Sequence, residues 1–592
     1  MSEGDAGAEN PAVPGDAGSA SGHASRQATM PVAPGHGGHR VNADDRLAEG
    51  VSSAGSGAAI GSAAGAPGRQ LPGWLVIALP AAVSLVVGGY EIGGPSLWRD
   101  EAYTRDAINR PVSQIFTLLG HTDAVHGAYY LLMHVIAAAT GTSPAALRFP
   151  SLCAMVIATA FTAAIGRRAA WLAQRPDPAG RAGPHLRNAR HVPALTGLLS
   201  GLVFATAPFM TYYAQTARSY AIVTMFATIS SYLLLRAYPD GRWRWWSAYA
   251  AAVALTGLFN LFGLLILVAH GVTLLLTQPG DAQARSGNGG RLGGVRLRWL
   301  AVSVVALLVL SPLLRICFRE QKQISWVTRP DASTIERLVA NFAGSTALIV
   351  PVALLALAGV ATACLADNWR PLNPAAIALP WLTVPPVLLI AGSFVKPVYV
   401  ERYVEFCLPA LAVLVAAGLV GLTRAVAGTP WSRLGPAWVP SALAGLLLAV
   451  LLIGPQHAIR QSAARPDNLR LASAIVATNE HPGDVVFYLP VDMRVIGTGY
   501  PAPFAKLRDI ALATPPIASG TLAGNEITSP ALLKSRFTDV SRVWVVTGAS
   551  TYKFPVPSTP VDKEKMALIA AAGLHIVHRW MAGEVMLTLY GP

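Results

Sequence analysis

The sequence predicts an α-helical polytopic membrane protein of about eleven spans with a C-terminal extracytoplasmic α/β domain. Three observations carry this. The 592 residues are 53% hydrophobic and only 13% charged, with a mean hydropathy of +0.45. Apolar runs of bilayer length recur from Trp74 to about 456, and beyond Pro466 they give way to a mixed pattern of short strands and helices.

The chain opens with 1–70, rich in Gly, Ala, Ser and Pro, which cannot bury enough apolar surface to offset its ordering entropy. It reads as a disordered cytoplasmic tail. The first apolar run, Trp74–Ile92, follows too long a leader and lacks a cleavage site, so it is read as a retained anchor rather than a signal peptide. Further runs lie at 148–170, 192–213, 219–236, 245–259, 261–277, 300–315, 345–366, 374–393, 403–424 and 437–456. Cys153, Cys317, Cys364 and Cys407 lie within or beside these runs and read as packing residues.

The net charge of +14 raises the question of a polyanionic partner. Most arginines, however, sit between apolar runs, where the positive-inside rule accounts for them, and no nucleic acid is expected. Arg167, Arg168, Arg175, Arg181, Arg187 and Arg190 mark one cytoplasmic loop, and Arg285, Arg291, Arg296 and Arg298 another. This parity holds only if the short apolar stretch 126–141 does not cross. It therefore reads as a surface helix with its tyrosines and His134 near the headgroups, making 93–147 one long extracytoplasmic loop. The spanning domain is then 71–460 and the outer domain 461–592, in which 484–490, 542–548 and 583–590 read as strands and 467–478 and 562–572 as helices.

The unusual charge lies in that first loop, at "SLWRDEAYTRDAINR" (96–110). Taken alone, Asp100 and Glu101 fit a solvated loop equally well. "HTDAVHGAYYLLMH" (121–134), "YYAQTARSYAIV" (212–223), "EQKQISWVTRP" (320–330) and "KPVYVERYVEF" (396–406) fall on the same outer face, which makes a converging polar site.

In order and placement these motifs resemble the lipid-carrier-dependent membrane glycosyltransferases of the GT-C class, particularly the family of protein O-mannosyltransferases and bacterial aminoarabinose transferase relatives. The Asp100-Glu101 pair after the first span, the Arg218-x-Tyr220 of "ARSYA" and the Arg402-Tyr403 of "ERYVEF" carry the resemblance. "HGAYY" keeps His126 and the aromatics of a His-Pro-Pro-type motif but has neither proline. The resemblance covers roughly 74–425. It implies a GT-C-like fold and transfer of a mannose-like sugar from a polyprenyl-phosphate donor to an extracytoplasmic glycan, lipid or protein at the cell membrane.

That chemistry needs a carboxylate to take the acceptor hydroxyl proton and cations to hold the leaving phosphate. Asp100 is assigned as base, with Glu101 as alternative base or as its anchor. Arg218, Lys396 and Arg402 are candidate phosphate ligands, with His126 as a further donor, and Gln321, Gln323 and Trp326 are candidate sugar contacts. Asp123 is a candidate second catalytic or metal-binding carboxylate, although the loop has no D-x-D and no metal or other cofactor is expected. A polytopic transporter or flippase is the competing class, against which stand the absence of a clear inverted repeat and the position of the charges outside the midplane. A partner-binding scaffold that keeps the fold without the activity is a third.

The orientation is testable. With the four native cysteines replaced, a cysteine at position 500 should react with impermeant reagent in intact cells and one at 181 should not; the reverse pattern would invert the arrangement.

Overall fold

The computed structural model describes residues 72–174, 191–277, 289–324, 326–364, 372–427, 429–430, 436, 438–548 and 559–592. The expected N-terminal tail and much of the two arginine-rich loops lie outside the described residues. Six described helices are long and apolar enough to cross a bilayer, and two bent pairs raise the number to as many as eight. The chain is thus mostly helical, with a small sheet domain at its C-terminal end.

The first apolar run is helix α1 (Leu75–Gly89). After it come α2 (Arg99–Ile108), α3 (Val112–Leu119), α4 (Gly127–Thr140) and the long α5 (Pro144–Ala173). Ser143 starts α5 by accepting the Ala146 N–H, with Pro144 in the first turn, where a missing N–H is harmless. The charged stretch 99–108 is therefore helical rather than an open loop.

At 14 residues, α4 is about 21 Å long, short of a bilayer's ~30 Å core. Its tyrosines differ from the expectation of a headgroup position. Tyr129 and Tyr130 are fully buried, the Tyr130 hydroxyl among polar partners inside the protein, and His134 Nδ1 bonds the Ile108 carbonyl at 2.8 Å.

α6 (Val192–Thr206) and α7 (Pro208–Ala214) meet at 63°, the break falling at Ala207, whose backbone is extended before a proline. α8 (Tyr220–Asp240), α9 (Trp243–Phe259), α10 (Leu265–Leu276) and α11 (Gly289–Arg319) follow. α12 (Ala332–Ala343), started by an Asp331–Thr334 capping box, turns 75° into the next segment at Gly344, whose φ of +97° suits glycine. α13 (Ile349–Cys364), α14 (Pro374–Val395), α15 (Leu408–Ala427), α16 (Val439–Leu451) and α17 (Ile453–Ala458) complete the helical part.

α13 and α15 cross at Gly359 and Gly418. A Cβ on Gly359 would strike the Leu414 carbonyl, and one on Gly418 the Leu355 carbonyl, so the backbones touch where neither residue has a side chain.

The C-terminal part begins with α18 (Leu469–Asn479) and builds a four-stranded sheet. Its strands are β1 (Val485–Leu489), β4 (Val543–Gly548), β5 (His575–Ala582) and β6 (Val585–Gly591), in the order β1-β4-β6-β5. β1 and β4 run parallel, and the other two pairings are antiparallel. A minor pair, β2 (Leu512–Thr514) and β3 (Asn525–Glu526), lies apart from it.

Strand periodicity divides the core. Val486, Trp544 and Leu587 face α18 through Leu469 and Val476, while Phe487, Val543 and Val545 face Leu568 and Ile569 of α19 (Pro560–Ala571). With both faces covered, β1 reads as the continuous apolar run Val485–Leu489. The first face also packs against Ala102 and Tyr103 of α2, which ties this domain to the charged helix.

Gly418→Val should sharply lower the yield of folded protein recovered by size exclusion, since branched carbon at a backbone contact forces the helices apart. Gly445→Val, in the open surface of α16, should not.

Candidate functional site

Two adjacent acidic residues in the first turn of α2 suit the positive end of the helix dipole and point about 100° apart. That angle gives them different surroundings.

Glu101 points into the protein and has no exposed surface. Arg148, near the start of α5, meets it with Nε at 2.8 Å from Oε1 and Nη2 at 2.7 Å from Oε2. The remaining Arg148 hydrogens go to the carbonyls of Ile92, Pro95 and Ser96, so all five donors are used. Oε1 also accepts the Ala217 N–H at 2.8 Å. Burial alone would raise the Glu101 pKa, but the Arg148 charge and these hydrogen bonds outweigh it and hold the carboxyl below its ordinary value.

Asp100 faces two guanidiniums instead. Its Oδ2 lies 3.8 Å from Arg218 Nε and 4.0 Å from Arg402 Nη2, too far for a hydrogen bond to either. Oδ2, Arg218 Nε, Arg402 Nε and His126 Nδ1 are buried atoms without a hydrogen-bond partner. Such a cluster is high in energy unless something polar enters it.

The neighbours fix these groups. Arg218 Nη1 donates to Tyr130 Oη at 3.2 Å, and Tyr130 donates to Asp123 Oδ2 at 2.7 Å. Asp123 adopts a left-handed backbone, with φ of +61°, and burial raises its pKa against the opposing pull of Arg218. The next residue's N–H, that of Ala124, is held by Glu320 Oε2 at 3.1 Å. Burial, reinforced by Arg218 and Arg402, lowers the His126 pKa well below its usual value, so the imidazole is neutral and offers one donor and one acceptor. The Arg402 guanidinium lies 5.4 Å from the Trp326 ring, 5.7 Å from Tyr403 and 5.9 Å from Trp98, an aromatic cage that supports the charge without neutralising it.

The structure thus brings together Asp100, Arg218, Arg402, His126, Asp123, Trp326 and Tyr403. Tyr220 is buried at the start of α8, edge-on to Tyr213. Tyr403 stacks on Phe262 at 4.8 Å. Lys396 and Gln321 are exposed and hydrogen-bonded to each other. The Gln323 side chain lies outside the described residues. Among the described residues no group of three or more His, Cys, Asp or Glu side chains could hold a metal ion.

No family model matches the chain, and no curated protein matches it. Solved structures do. ArnT from Cupriavidus metallidurans bound to undecaprenyl phosphate is similar at 14% identity over 87% of this chain and 98% of that one, with a TM-score of 0.48. The archaeal oligosaccharyltransferase AglB from Archaeoglobus fulgidus, in complex with an inhibitory peptide and a dolichol-phosphate, is similar at 12% identity over 81% and 69%, TM-score 0.44. The arabinosyltransferase EmbB from Mycobacterium smegmatis is similar at 12% identity over 74% and 43%, TM-score 0.37.

Arg148 and Asp467 escape a reading of the sequence, and Tyr130, which joins Arg218 to Asp123, is read there only as a headgroup aromatic. Arg148 carried a usable signal, a single arginine at the edge of an apolar run. Asp467 carried none. Its carboxylate accepts the Arg99 N–H at 3.0 Å and pairs with the Arg99 guanidinium at 3.1 Å. It caps a helix whose own N-cap residue, Trp98, makes no side-chain cap. The sheet domain adds Tyr500 Oη, which accepts the Leu97 N–H, and the Gly499 carbonyl, which accepts from Arg105 at 2.7 Å.

Arg148→Met should strand a buried carboxylate, a loss of about 3–5 kcal/mol. A large drop in the detergent melting temperature is expected, and an unchanged one would show that the pair does not hold the site.

Proposed function

We propose that this chain is a glycosyltransferase of the cell membrane that moves a mannose-like sugar from a polyprenyl-phosphate donor to an extracytoplasmic glycan, lipid or protein. The observation that carries the reading is Asp100 Oδ2, buried and without a hydrogen-bond partner, facing two guanidiniums at 3.8 and 4.0 Å. A phosphate between Arg218 and Arg402 satisfies their idle donors in the bidentate manner that guanidinium favours, and it leaves Asp100 free to act as an acceptor.

In this reading the acceptor hydroxyl gives its proton to Asp100 as its oxygen attacks the anomeric carbon. The bond from that carbon to the phosphate oxygen breaks, and polyprenyl phosphate leaves with the electron pair, its charge held by Arg218 and Arg402. Neutral His126 is a hydrogen-bond donor to the same phosphate. Trp326, 58% exposed beside Arg402, offers an indole face to the sugar. Lys396 and Gln321 would serve at the rim, Tyr220 and Tyr403 in the wall, and Asp123 as the second-layer carboxylate that orients Tyr130. Glu101 anchors Asp100 and exchanges no proton. The tail 1–70 is assigned to the cytoplasm and the sheet domain, 461–592, to the outside.

Transfer of radiolabelled sugar from polyprenyl phosphate to a membrane extract tests this. Asp100→Asn should fold and bind donor yet lose about 10²–10⁴-fold in rate. Arg218→Gln or Arg402→Gln should weaken donor use by about 2–5 kcal/mol. Full transfer by Asp100→Asn would remove the base, and no consumption of carrier-linked sugar by the unmodified protein would favour a transporter.

A further inference from the structure

At the far end of α8 from Arg218, about 30 Å along the helix, a second concentration of positive charge has no part in this chemistry. Between positions 236 and 298 the sequence holds seven arginines against two aspartates, so a positive surplus remains even if both aspartates are paired. Three of these arginines gather at the corner of α8, α9 and α11. The guanidiniums of Arg236 and Arg244 lie 4.7 and 4.9 Å from the centroid of one ring, that of Trp245. Their centres are therefore within about 10 Å of each other, one Debye length at 0.1 M salt. Arg298 reaches across from α11, bonds the Gly241 carbonyl at 2.7 Å and lies 5.7 Å from the Trp243 ring.

Asp240, four residues from both Arg236 and Arg244 in the sequence, offsets at most one of the three charges gathered here, and the others repel unless a further anion joins them. The buried atoms Arg236 Nε and Trp245 Nε1 have no hydrogen-bond partner, while Trp243 and Arg244 are exposed. Two flat cations, indole N–H donors and exposed tryptophan at the end of a bilayer-length helix match a phosphodiester at the membrane surface. We infer that the α8–α9 corner is a binding site for the headgroup phosphate of an anionic glycerophospholipid, at the interface opposite the Asp100 site. The inference does not depend on the proposed glycosyl transfer.

The full chain, delipidated in detergent, is titrated with dioleoylphosphatidylglycerol, dioleoylphosphatidylcholine or inorganic phosphate. Bound lipid is counted by native mass spectrometry and stability followed by thermal unfolding. Phosphatidylglycerol should bind and raise the melting temperature well above the effect of phosphatidylcholine, and inorganic phosphate should not reproduce it. The double variant Arg236→Gln/Arg244→Gln should weaken phosphatidylglycerol binding about tenfold or more. Arg244→Gln alone, at an exposed position that folding tolerates, should weaken it in part, and Lys534→Gln in the sheet domain should leave it unchanged. Equal response to the two lipids, an equal effect of inorganic phosphate, or full phosphatidylglycerol binding by the arginine variants would each overturn the site.

Discussion

The ion pair between Glu101 and Arg148 is the constraint on which the site depends. Two charges removed from water carry a desolvation penalty of several kcal/mol each, and the pair is tolerable only because every Arg148 donor is met. Those bonds fix four separate pieces of chain: α2, the turn from Ile92 to Ser96, the start of α5, and, through Ala217, the turn between α7 and α8. Asp100 takes its direction from the first of these and Arg218 from the last. A single fully satisfied carboxylate therefore sets the geometry of its under-satisfied neighbour.

The contrast between the two carboxylates is the physical signature of the site. Hydrogen bonds spent on Glu101 yield rigidity, while those withheld from Asp100, Arg218 and Arg402 leave capacity for a ligand. Tyr130 and the aromatic cage around Arg402 keep both guanidiniums in place without consuming their charge. A compensating carboxylate closer to either arginine would have satisfied its donors and closed that capacity.

Much of this was legible in the sequence because it rests on local or compositional rules. Apolar runs gave the helices, and the short β-branched and aromatic runs in "RVWVVTG" and "GEVMLTLY" gave β4 and β6. Asp100, Arg218 and Arg402 stood out as charges at the ends of apolar runs. Their orientation did not, because adjacent letters in a sequence carry no angle, and only the helical form of α2 separates Asp100 from Glu101. Strand β5, "HIVHRWMA", hid behind its polar letters, since an edge strand exposed along most of its length lacks the continuous apolar run of its buried neighbours. Tyr130 of α4 was misplaced for a related reason: an amphipathic residue type suits a headgroup or a buried hydrogen bond equally, and composition cannot choose.

The cap on α2 has a consequence in time. Arg99 and Asp467 are 368 residues apart, so at ordinary rates of synthesis about 20–70 s pass between the emergence of the helix and that of its cap. Throughout that interval the turn bearing Asp100 lacks the acceptor for its leading N–H and the contacts made by Tyr500 and Gly499. A nascent or truncated chain thus carries every residue of the Asp100 cluster and still presents a frayed turn. Completion of the last domain is what closes the cap on the helix that bears Asp100.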